Sequence, residues 1–241
     1  MNFNIVRDDI TRITVDAMVL PANSKLKPGD GVSATIFAKA GRDYVKKDLK
    51  RYGHVEVGNS VPTRAFALPA KYIIHSVVPA WKDGKHDEYL LLCASYISAL
   101  ALADRMGCKS IAFPLLASGN NGFDPNIAFE VATKCLAEYE PAGKLGHAEL
   151  VLYGMRPTEL AKNAGYDVEE RIEQEYVIAH SEDQKDKGKV VAAAEWGKGI
   201  AEAFADDAIT MLDEYLNDPE TRKELIKEAG SILISVIKEA V

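Results

Sequence analysis

The hydrophobic and polar positions of the chain change their period repeatedly, which predicts strands and helices in alternation. Short apolar runs rich in β-branched and aromatic residues, such as residues 72–78, are typical of buried strands. Longer segments with apolar residues at every third or fourth position, such as residues 87–106, indicate helices that pack on a sheet. Because the two kinds of segment alternate through most of the chain, the sequence predicts an α/β fold.

The individual elements follow from these periods and from the glycine, proline and capping residues at their ends. The predicted strands lie in the opening residues and at 16–20, 60–66, 72–78, 110–116 and 149–153. The predicted helices are 32–40, 42–52, 87–106, 125–139, 158–163 and 169–178. The lysines and arginines within 42–52 are interpreted as a solvated helix face.

The last quarter of the chain has a different composition. The formal net charge is −7, and residues 181–241 contribute −6 of it, with 14 acidic and 8 basic side chains. We therefore predict a domain over residues 1–180, a charged linker at 181–189 and a helical extension at 190–241, built as a helical hairpin. The apolar faces of the hairpin must be buried against another surface, which could belong to the main domain, a second copy of the chain or another protein.

The composition of the chain also argues against several classes of function. Without a basic face, nucleic acid is not expected as the main ligand. No apolar stretch reaches the roughly 18–20 residues that span a bilayer, and the N-terminus lacks a signal-peptide pattern, so we expect a cytoplasmic protein that does not enter a membrane. Cys93, Cys108 and Cys135 are scattered in apolar surroundings and are predicted to be buried thiols. No metal site and no cofactor are predicted.

Two loops rich in glycine and asparagine are the candidates for chemistry. They span residues 21–32 and 117–124, and each connects a predicted strand to a predicted helix. Such a junction points backbone N–H groups and the positive end of a helix dipole at one spot, which suits phosphate. Two loops at the carboxyl edge of one sheet could enclose a diphosphate. The alternative is that the glycines only make tight turns, and no Walker A or dinucleotide-binding glycine motif is present.

The loops and two further motifs resemble the macrodomain family of ADP-ribose-binding modules. L-P-A-N-S-K-L-K-P-G-D-G-V-S resembles the family's first loop, N-A-A-N-x-x-L-x-G-G-G-V-D, and P-L-L-A-S-G-N-N-G-F resembles its second. I-I-H-S-V-V-P-A-W and the turn D-I-T also match family motifs, with Asp8 where the family usually has glycine. The resemblance covers residues 1–165 approximately and implies three α/β/α layers around a central mixed sheet. It does not extend to the tail.

The resemblance implies that the ligand is ADP-ribose or a derivative, such as an ADP-ribosylated protein or O-acetyl-ADP-ribose. Asp9 would accept a hydrogen bond from the adenine amine, and Asn23 and Phe123 would lie at the distal ribose. The backbone of both loops would enclose the diphosphate. The implied ligand-binding residues are Asp9, Ile10, Ala22, Asn23, Gly29, Asp30, Gly31, Val32, Ala117, Ser118, Gly119, Asn120, Asn121, Gly122 and Phe123.

Three side chains in these motifs also have a purely structural interpretation. Asp9 could simply cap a turn, and Phe123 could pack beneath its loop. His75 stands in the middle of an apolar strand, where a hydrogen-bonded structural histidine is the simpler interpretation.

Two positions depart from the pattern of hydrolytic macrodomains. Leu20 stands where such proteins often have their first asparagine, and Ser33 where many have an aspartate, and a hydroxyl cannot replace a carboxylate as a base at neutral pH. Asp30 and Asp124 are the nearby carboxylates, but we expect Asp30 to face solvent and Asp124 to cap its helix. Binding is therefore the leading hypothesis, with a mono-ADP-ribosyl hydrolase or an O-acetyl-ADP-ribose deacetylase as the alternative. No catalytic residue is assigned.

Overall fold

The computed structural model describes residues 1–171, which form a seven-stranded sheet with helices on both faces. The strands are β1 (Asn2–Arg7), β2 (Val15–Ala22), β3 (Ser60–Arg64), β4 (Ala70–Val77), β5 (Ser110–Pro114), β6 (His147–Leu152) and β7 (Val168–Glu170). The helices are α1 (Val32–Ala40), α2 (Arg42–Leu49), α3 (Glu88–Arg105), α4 (Pro125–Glu138) and α5 (Met155–Asn163), with a short 3-10 helix at Ile10–Arg12.

The sheet is mixed, as predicted. Its order is β3-β4-β2-β5-β6-β1-β7, with β3 antiparallel to β4 and every other neighbouring pair parallel. The carboxyl ends of β1, β2, β4, β5 and β6 therefore share one edge of the sheet. The segments that follow those strands are gathered there.

Alternate side chains of β2 enter two different hydrophobic clusters. Ala17 and Val19 belong to the cluster that contains the buried faces of α3 and α4. Met18 and Leu20 belong to the cluster that contains the buried faces of α1 and α2. Because neighbouring side chains of a strand point to opposite faces, this alternation confirms the three layers predicted from the sequence.

The start of α4 and the end of α3 have the capping residues predicted from the sequence. Asp124 accepts a hydrogen bond from the N–H of Asn126 at 2.8 Å, and Pro125 occupies the first turn of α4. α3 is followed by Gly107 in the left-handed region, at φ 71°. α4 therefore begins directly after the second glycine-rich loop.

The helix predicted at 169–178 is wrong where the structure describes it. Glu169 and Glu170 belong to β7, which pairs with β1. Ion pairs hold this short strand in place: Glu170 contacts Arg7 at 3.1 Å, and Arg171 contacts Glu149 at 3.0 Å. These partners are more than twenty residues away in sequence, so local periodicity could not reveal them. The rest of the predicted helix, the linker at 181–189 and the extension at 190–241 lie outside the described residues.

The outer edge of β3 is covered by side chains from α2 and the segment after it. The Tyr52 hydroxyl donates to the Pro62 carbonyl at 2.8 Å. The Asp48 carboxylate accepts from the Arg64 guanidinium at 2.7 and 3.0 Å. These contacts fix α2 against the sheet on the side of the first glycine-rich loop.

Two other sequence predictions concern burial and membranes. All three cysteines are buried, which confirms their interpretation as core thiols. Among residues 1–171, no helix has both the length and the apolar character required to cross a bilayer.

Asp104, near the end of α3, holds the segment that leads into β6. Its carboxylate accepts from the Gly143 N–H at 2.7 Å and from the Leu145 N–H at 2.9 Å. We expect Asp104→Ala to lower the free energy of unfolding by about 2 kcal/mol, because hydrogen bonds to an ionised acceptor are lost and the Leu145 N–H is left buried. Urea unfolding measures this.

Asp104→Asn is the matched variant for this prediction. Its amide keeps one acceptor oxygen but presents an NH2 group to the second N–H, so its loss of stability should be at least as large as that of the alanine variant at neutral pH. Equal stability of both variants and the unchanged protein would show that these two hydrogen bonds do not stabilise the fold.

Candidate functional site

The candidate site lies at the carboxyl edge of the parallel strands. Residues 23–31 follow β2 and residues 115–124 follow β5, and these two strands are direct neighbours. The 3-10 helix at Ile10–Arg12 follows β1 and contacts both α1 and β5. The structure thus brings the Asp9 turn and the two glycine-rich loops to one edge of the sheet.

The first loop ends in a run of backbone donors at the start of α1. Within the described residues, the N–H groups of residues 30–34 donate to no acceptor, and no side chain caps the helix. Gly31 has φ 59° and ψ −131°, a region that residues with a Cβ rarely adopt. The Gly29 N–H donates to the Ser33 hydroxyl at 3.3 Å. The helix dipole adds positive potential at these donors, so an anion is the ligand that this end of α1 suits.

Asn23 fixes the shape of this loop. Its side-chain carbonyl accepts from the N–H groups of Lys25 and Lys27, each at 3.2 Å, and its amide donates to the Lys27 carbonyl at 2.7 Å. Leu26, inside the loop, has φ 53° and is buried. The contact of Asn23 with the distal ribose stays a prediction, and the role that the structure displays for this side chain is to hold the loop.

The second loop carries a similar run of donors. Within the part of the chain that the structure describes, the N–H groups of residues 118–121 donate to no acceptor. The loop closes on itself, since the Gly122 N–H donates to the Gly119 carbonyl at 3.0 Å and the Phe123 N–H to the Ala117 carbonyl at 3.4 Å. Ala117 has a positive φ of 62°, which is uncommon for a residue with a side chain. Both loops therefore offer several adjacent N–H groups for an anionic ligand.

Trp81 joins the second loop to the segment after β4. Its N–H donates to the Asn121 carbonyl at 2.7 Å, and the Asn121 amide donates to the Pro79 carbonyl at 2.8 Å. Its ring meets the ring of Phe123 edge-on, with centroids 5.2 Å apart. Phe123 is buried, so packing beneath the loop is the role that the structure displays for it, and its contact with a ribose stays a prediction.

Tyr96, in α3, positions the start of the second loop. It is fully buried, and its hydroxyl oxygen accepts from the Leu116 N–H at 3.0 Å. We expect Tyr96→Phe to lower the free energy of unfolding by about 1–3 kcal/mol, because a buried N–H loses its acceptor. Differential scanning calorimetry measures this. Tyr89→Phe, which keeps the ring that contacts Trp81, is the control, and an equal loss in both variants would contradict the assignment.

One of the two carboxylate oxygens of Asp9 already accepts hydrogen bonds within its own turn. Asp9 Oδ1 accepts from the Thr11 N–H at 3.0 Å and from the Thr11 hydroxyl at 2.8 Å. Asp8, at the family's glycine position, accepts from the Asp9 N–H at 2.7 Å. Among the described residues, Asp9 Oδ2 and the Ile10 N–H have no hydrogen-bond partner. An acceptor beside a donor matches the amine edge of adenine.

Among residues 1–171, the titratable side chains near the loops do not form a general acid–base set. Asp30 is exposed, and Ser33 is buried with its hydroxyl accepting from the Gly29 backbone. Hydrogen bonds from the side chain and N–H of Asn126 lower the pKa of Asp124, which keeps that carboxylate ionised as a helix cap. His75 lies in the core with Nε2 at 2.9 Å from the Thr63 hydroxyl, and burial lowers its pKa to about 3. His75 is a neutral structural histidine, and Asp124 is a cap.

Asp83, His86 and Glu88 place potential metal-ligating atoms within 4.8 Å of one another. The Glu88 carboxylate already accepts four backbone hydrogen bonds, from residues 82, 83, 84 and 86, at 2.6–3.3 Å. Its burial opposes ionisation, but these donors outweigh that effect and lower the pKa to about 2. The cluster is explained as the anchor of the turn between Trp81 and α3.

A separate groove with a volume of about 660 Å³ runs between α4 and α5. Its walls include Phe129, Lys134, Arg156 and Tyr166. None of the predicted ligand-binding residues lines it. Its lining includes both positive and negative side chains, so its charge does not indicate one class of ligand.

Sequence reasoning missed two contributors to the site. Trp81 stands at the end of a family motif, and its signal in the sequence is an aromatic residue just after a strand that neighbours β2. The N–H of Ala34 extends the run of donors into α1 and has no side-chain signature at all. Backbone donors of this kind become visible only when the hydrogen bonds of the loop are known.

Similarity to known proteins supports the fold and the motifs. The Macro domain family model matches residues 19–132. An O-acetyl-ADP-ribose deacetylase of Escherichia fergusonii is 39% identical over 139 residues, which cover 56% of this chain and 78% of that protein. A Macro domain-containing protein of Caldanaerobacter subterraneus is 37% identical over 164 residues, which cover 66% of this chain and 93% of that protein.

Solved structures agree with this relationship. The Oceanobacillus iheyensis macrodomain, solved with ADP, superimposes with a TM-score of 0.62 at 26% identity and covers 73% of this chain and 91% of its own. The Trypanosoma brucei macrodomain in complex with ADP-ribose shares the fold, with a TM-score of 0.59 at 24% identity over 68% of each chain. The motifs and these similarities agree, and the chain belongs to the macrodomain family.

Proposed function

We propose that the protein binds ADP-ribose or a derivative of it at the carboxyl edge of the sheet. The observation that carries the proposal is the presence of two runs of backbone N–H groups, at residues 30–34 and 118–121, that have no acceptor within the described residues. They follow adjacent parallel strands. A diphosphate has enough oxygen atoms to accept from both runs, and its two negative charges are favoured by the start of α1.

The remaining contacts suit the other parts of such a ligand. Oδ2 of Asp9 and the N–H of Ile10 offer an acceptor and a donor to a purine. They follow β1, which lies two strand spacings from β5, a distance of about 10 Å. A ligand with a purine base at one end and a diphosphate in its middle could contact both the Asp9 turn and the N–H groups of the two loops. Its distal ribose would lie near Trp81 and Phe123, beside the second loop.

Isothermal titration calorimetry of the full chain with ADP-ribose, ADP and AMP tests this proposal. We expect ADP-ribose and ADP to bind, and AMP to bind more weakly because it lacks the second phosphate. Ligand at a hundredfold excess over its dissociation constant should stabilise the fold by about 2.7 kcal/mol. Absence of both heat and thermal shift with millimolar ADP-ribose would refute the proposal.

Removal of an acyl or protein group from ADP-ribose is the second candidate. It is supported by the relatives named O-acetyl-ADP-ribose deacetylase, from Escherichia fergusonii and Pantoea vagans, which are each 39% identical to this chain. The side chains argue against a carboxylate-based mechanism, because Ser33 replaces the aspartate and Asp124 caps α4. Incubation with O-acetyl-ADP-ribose and with a mono-ADP-ribosylated protein tests it. No release over hours at high protein concentration would leave binding as the function.

For residues 190–241 we propose an oligomerisation or protein-docking role. The support is their amphipathic sequence and net acidic charge, which differ from those of the macrodomain. Light scattering of the full chain and of a chain ending at Ser181 tests this. Two monomeric species of equal stability would contradict it.

A further inference from the structure

We infer that Cys93 and Cys135 are an oxidation site, at which a disulfide forms between helices α3 and α4. The two sulfur atoms lie 3.1 Å apart, although the residues are separated by 42 positions in sequence. A disulfide bond is about 2.05 Å long, so the sulfurs need to approach each other by only about 1 Å. The two thiol groups are therefore in direct contact.

The surroundings of the pair keep it reduced at rest. Both residues are 1% exposed and lie within the same hydrophobic cluster. Burial, with the nearby Cys93 thiol adding to it, raises the pKa of the Cys135 thiol. The thiolate is the nucleophile, so ionisation limits the reaction and brief mild oxidation leaves the pair unchanged. Sustained exposure to a small oxidant is the condition under which it reacts.

The proposed reaction uses hydrogen peroxide as its oxidant. One sulfur attacks a peroxide oxygen, the O–O bond breaks, and a sulfenic acid and one water are formed. The second sulfur then attacks the sulfenic sulfur, the S–O bond breaks, and the disulfide and a second water are formed. Two thiols lose two electrons and two protons in total. Contact between the sulfurs favours this second step over further oxidation of the sulfenic acid.

The position of the link gives it a structural consequence. α3 begins after the segment that carries Trp81, and α4 begins after the loop that ends at Phe123. These two segments already touch through the Trp81 and Phe123 rings. The disulfide would join the two helices that support them. The inference concerns the helices alone and does not depend on the ligand of the loops.

The test treats the folded full chain with hydrogen peroxide, removes the peroxide with catalase and measures the intact mass. We expect a loss of about 2 Da that dithiothreitol reverses, and a proteolytic map in which Cys93 is linked to Cys135. Because the link closes a long loop, the Tm should rise by about 5–10 °C after oxidation. Cys108→Ala is the matched control, since Cys108 is also buried, and it should behave like the unchanged protein.

Cys93→Ala and Cys135→Ala should each prevent the loss of mass. The inference is overturned if the oxidised protein keeps three thiols, or if the map links Cys108. It is also overturned if oxygen is added to either sulfur without a disulfide. The map of the unchanged protein decides the matter even if an alanine variant fails to fold.

Discussion

Gly31→Ala is expected to weaken ADP-ribose binding by roughly 5- to 150-fold. Gly31 has φ 59° and ψ −131° immediately before α1, where an alanine is strained by about 1–3 kcal/mol. The free loop can relax to relieve this strain, but relaxation turns the N–H groups of residues 30–34 away from the ligand. Binding must then restore the strained backbone. Calorimetric titration with ADP-ribose measures the loss.

Gly53→Ala is the matched control for this substitution. Gly53 also has a positive φ, of 62°, and at both positions an added Cβ would meet no atom within 4 Å. Both variants therefore place an alanine at a positive φ without a steric clash. Gly53→Ala should keep the affinity of the unchanged protein. If both variants bind equally well, the conformation of Gly31 has no part in holding the ligand.

The second large effect concerns the acid stability of the fold. Burial of His75 lowers its pKa from 6.5 to about 3, so the unfolded chain takes up a proton at a pH where the folded protein does not. Stability should therefore fall as the pH drops below 6.5, by about 1.4 kcal/mol per pH unit until the pKa of the folded state is reached. The loss between pH 6.5 and pH 4 amounts to roughly 3 kcal/mol.

His75→Gln isolates this contribution, because glutamine can still pair with the Thr63 hydroxyl but does not titrate. Its stability at pH 7 is expected to be lower, yet its decline between pH 6.5 and pH 4 should be less steep than that of the unchanged protein. Urea unfolding at several pH values measures both curves. His54→Gln, the same substitution at an exposed position, is the control for the loss of a histidine. Parallel curves for the unchanged protein and His75→Gln would show that His75 takes no part in acid unfolding.

Much of the fold was accessible from local patterns. Residues 32–40 were predicted as a helix and form α1 with the same bounds, because the strand before and the glycines on both sides define it. The start of α4 was predicted from Asp124 and Pro125, whose roles depend only on their immediate neighbours. The mixed sheet and its three layers followed from the alternation of elements and from the family resemblance.

Other features depended on contacts between distant parts of the chain. Ion pairs from Glu170 to Arg7 and from Arg171 to Glu149 fix β7 and the residue after it, and the local sequence does not reveal such distant partners. The hydrogen bonds of Asn23 within its own loop required the loop's path to be known. The unpaired N–H groups at residues 30–34 belong to the backbone, which carries no residue-specific signal in the sequence.

The two outermost strands of the sheet, β3 and β7, affect how copies of this domain behave at high concentration. An exposed strand edge can pair with another chain and begin aggregation. At one edge, β3 contains Pro62, which has no N–H to offer, and Tyr52 occupies the Pro62 carbonyl. At the other edge, β7 has three residues, and two of them are glutamates. Both edges are thus unsuited to sheet extension, so concentrated macrodomain should resist fibril formation.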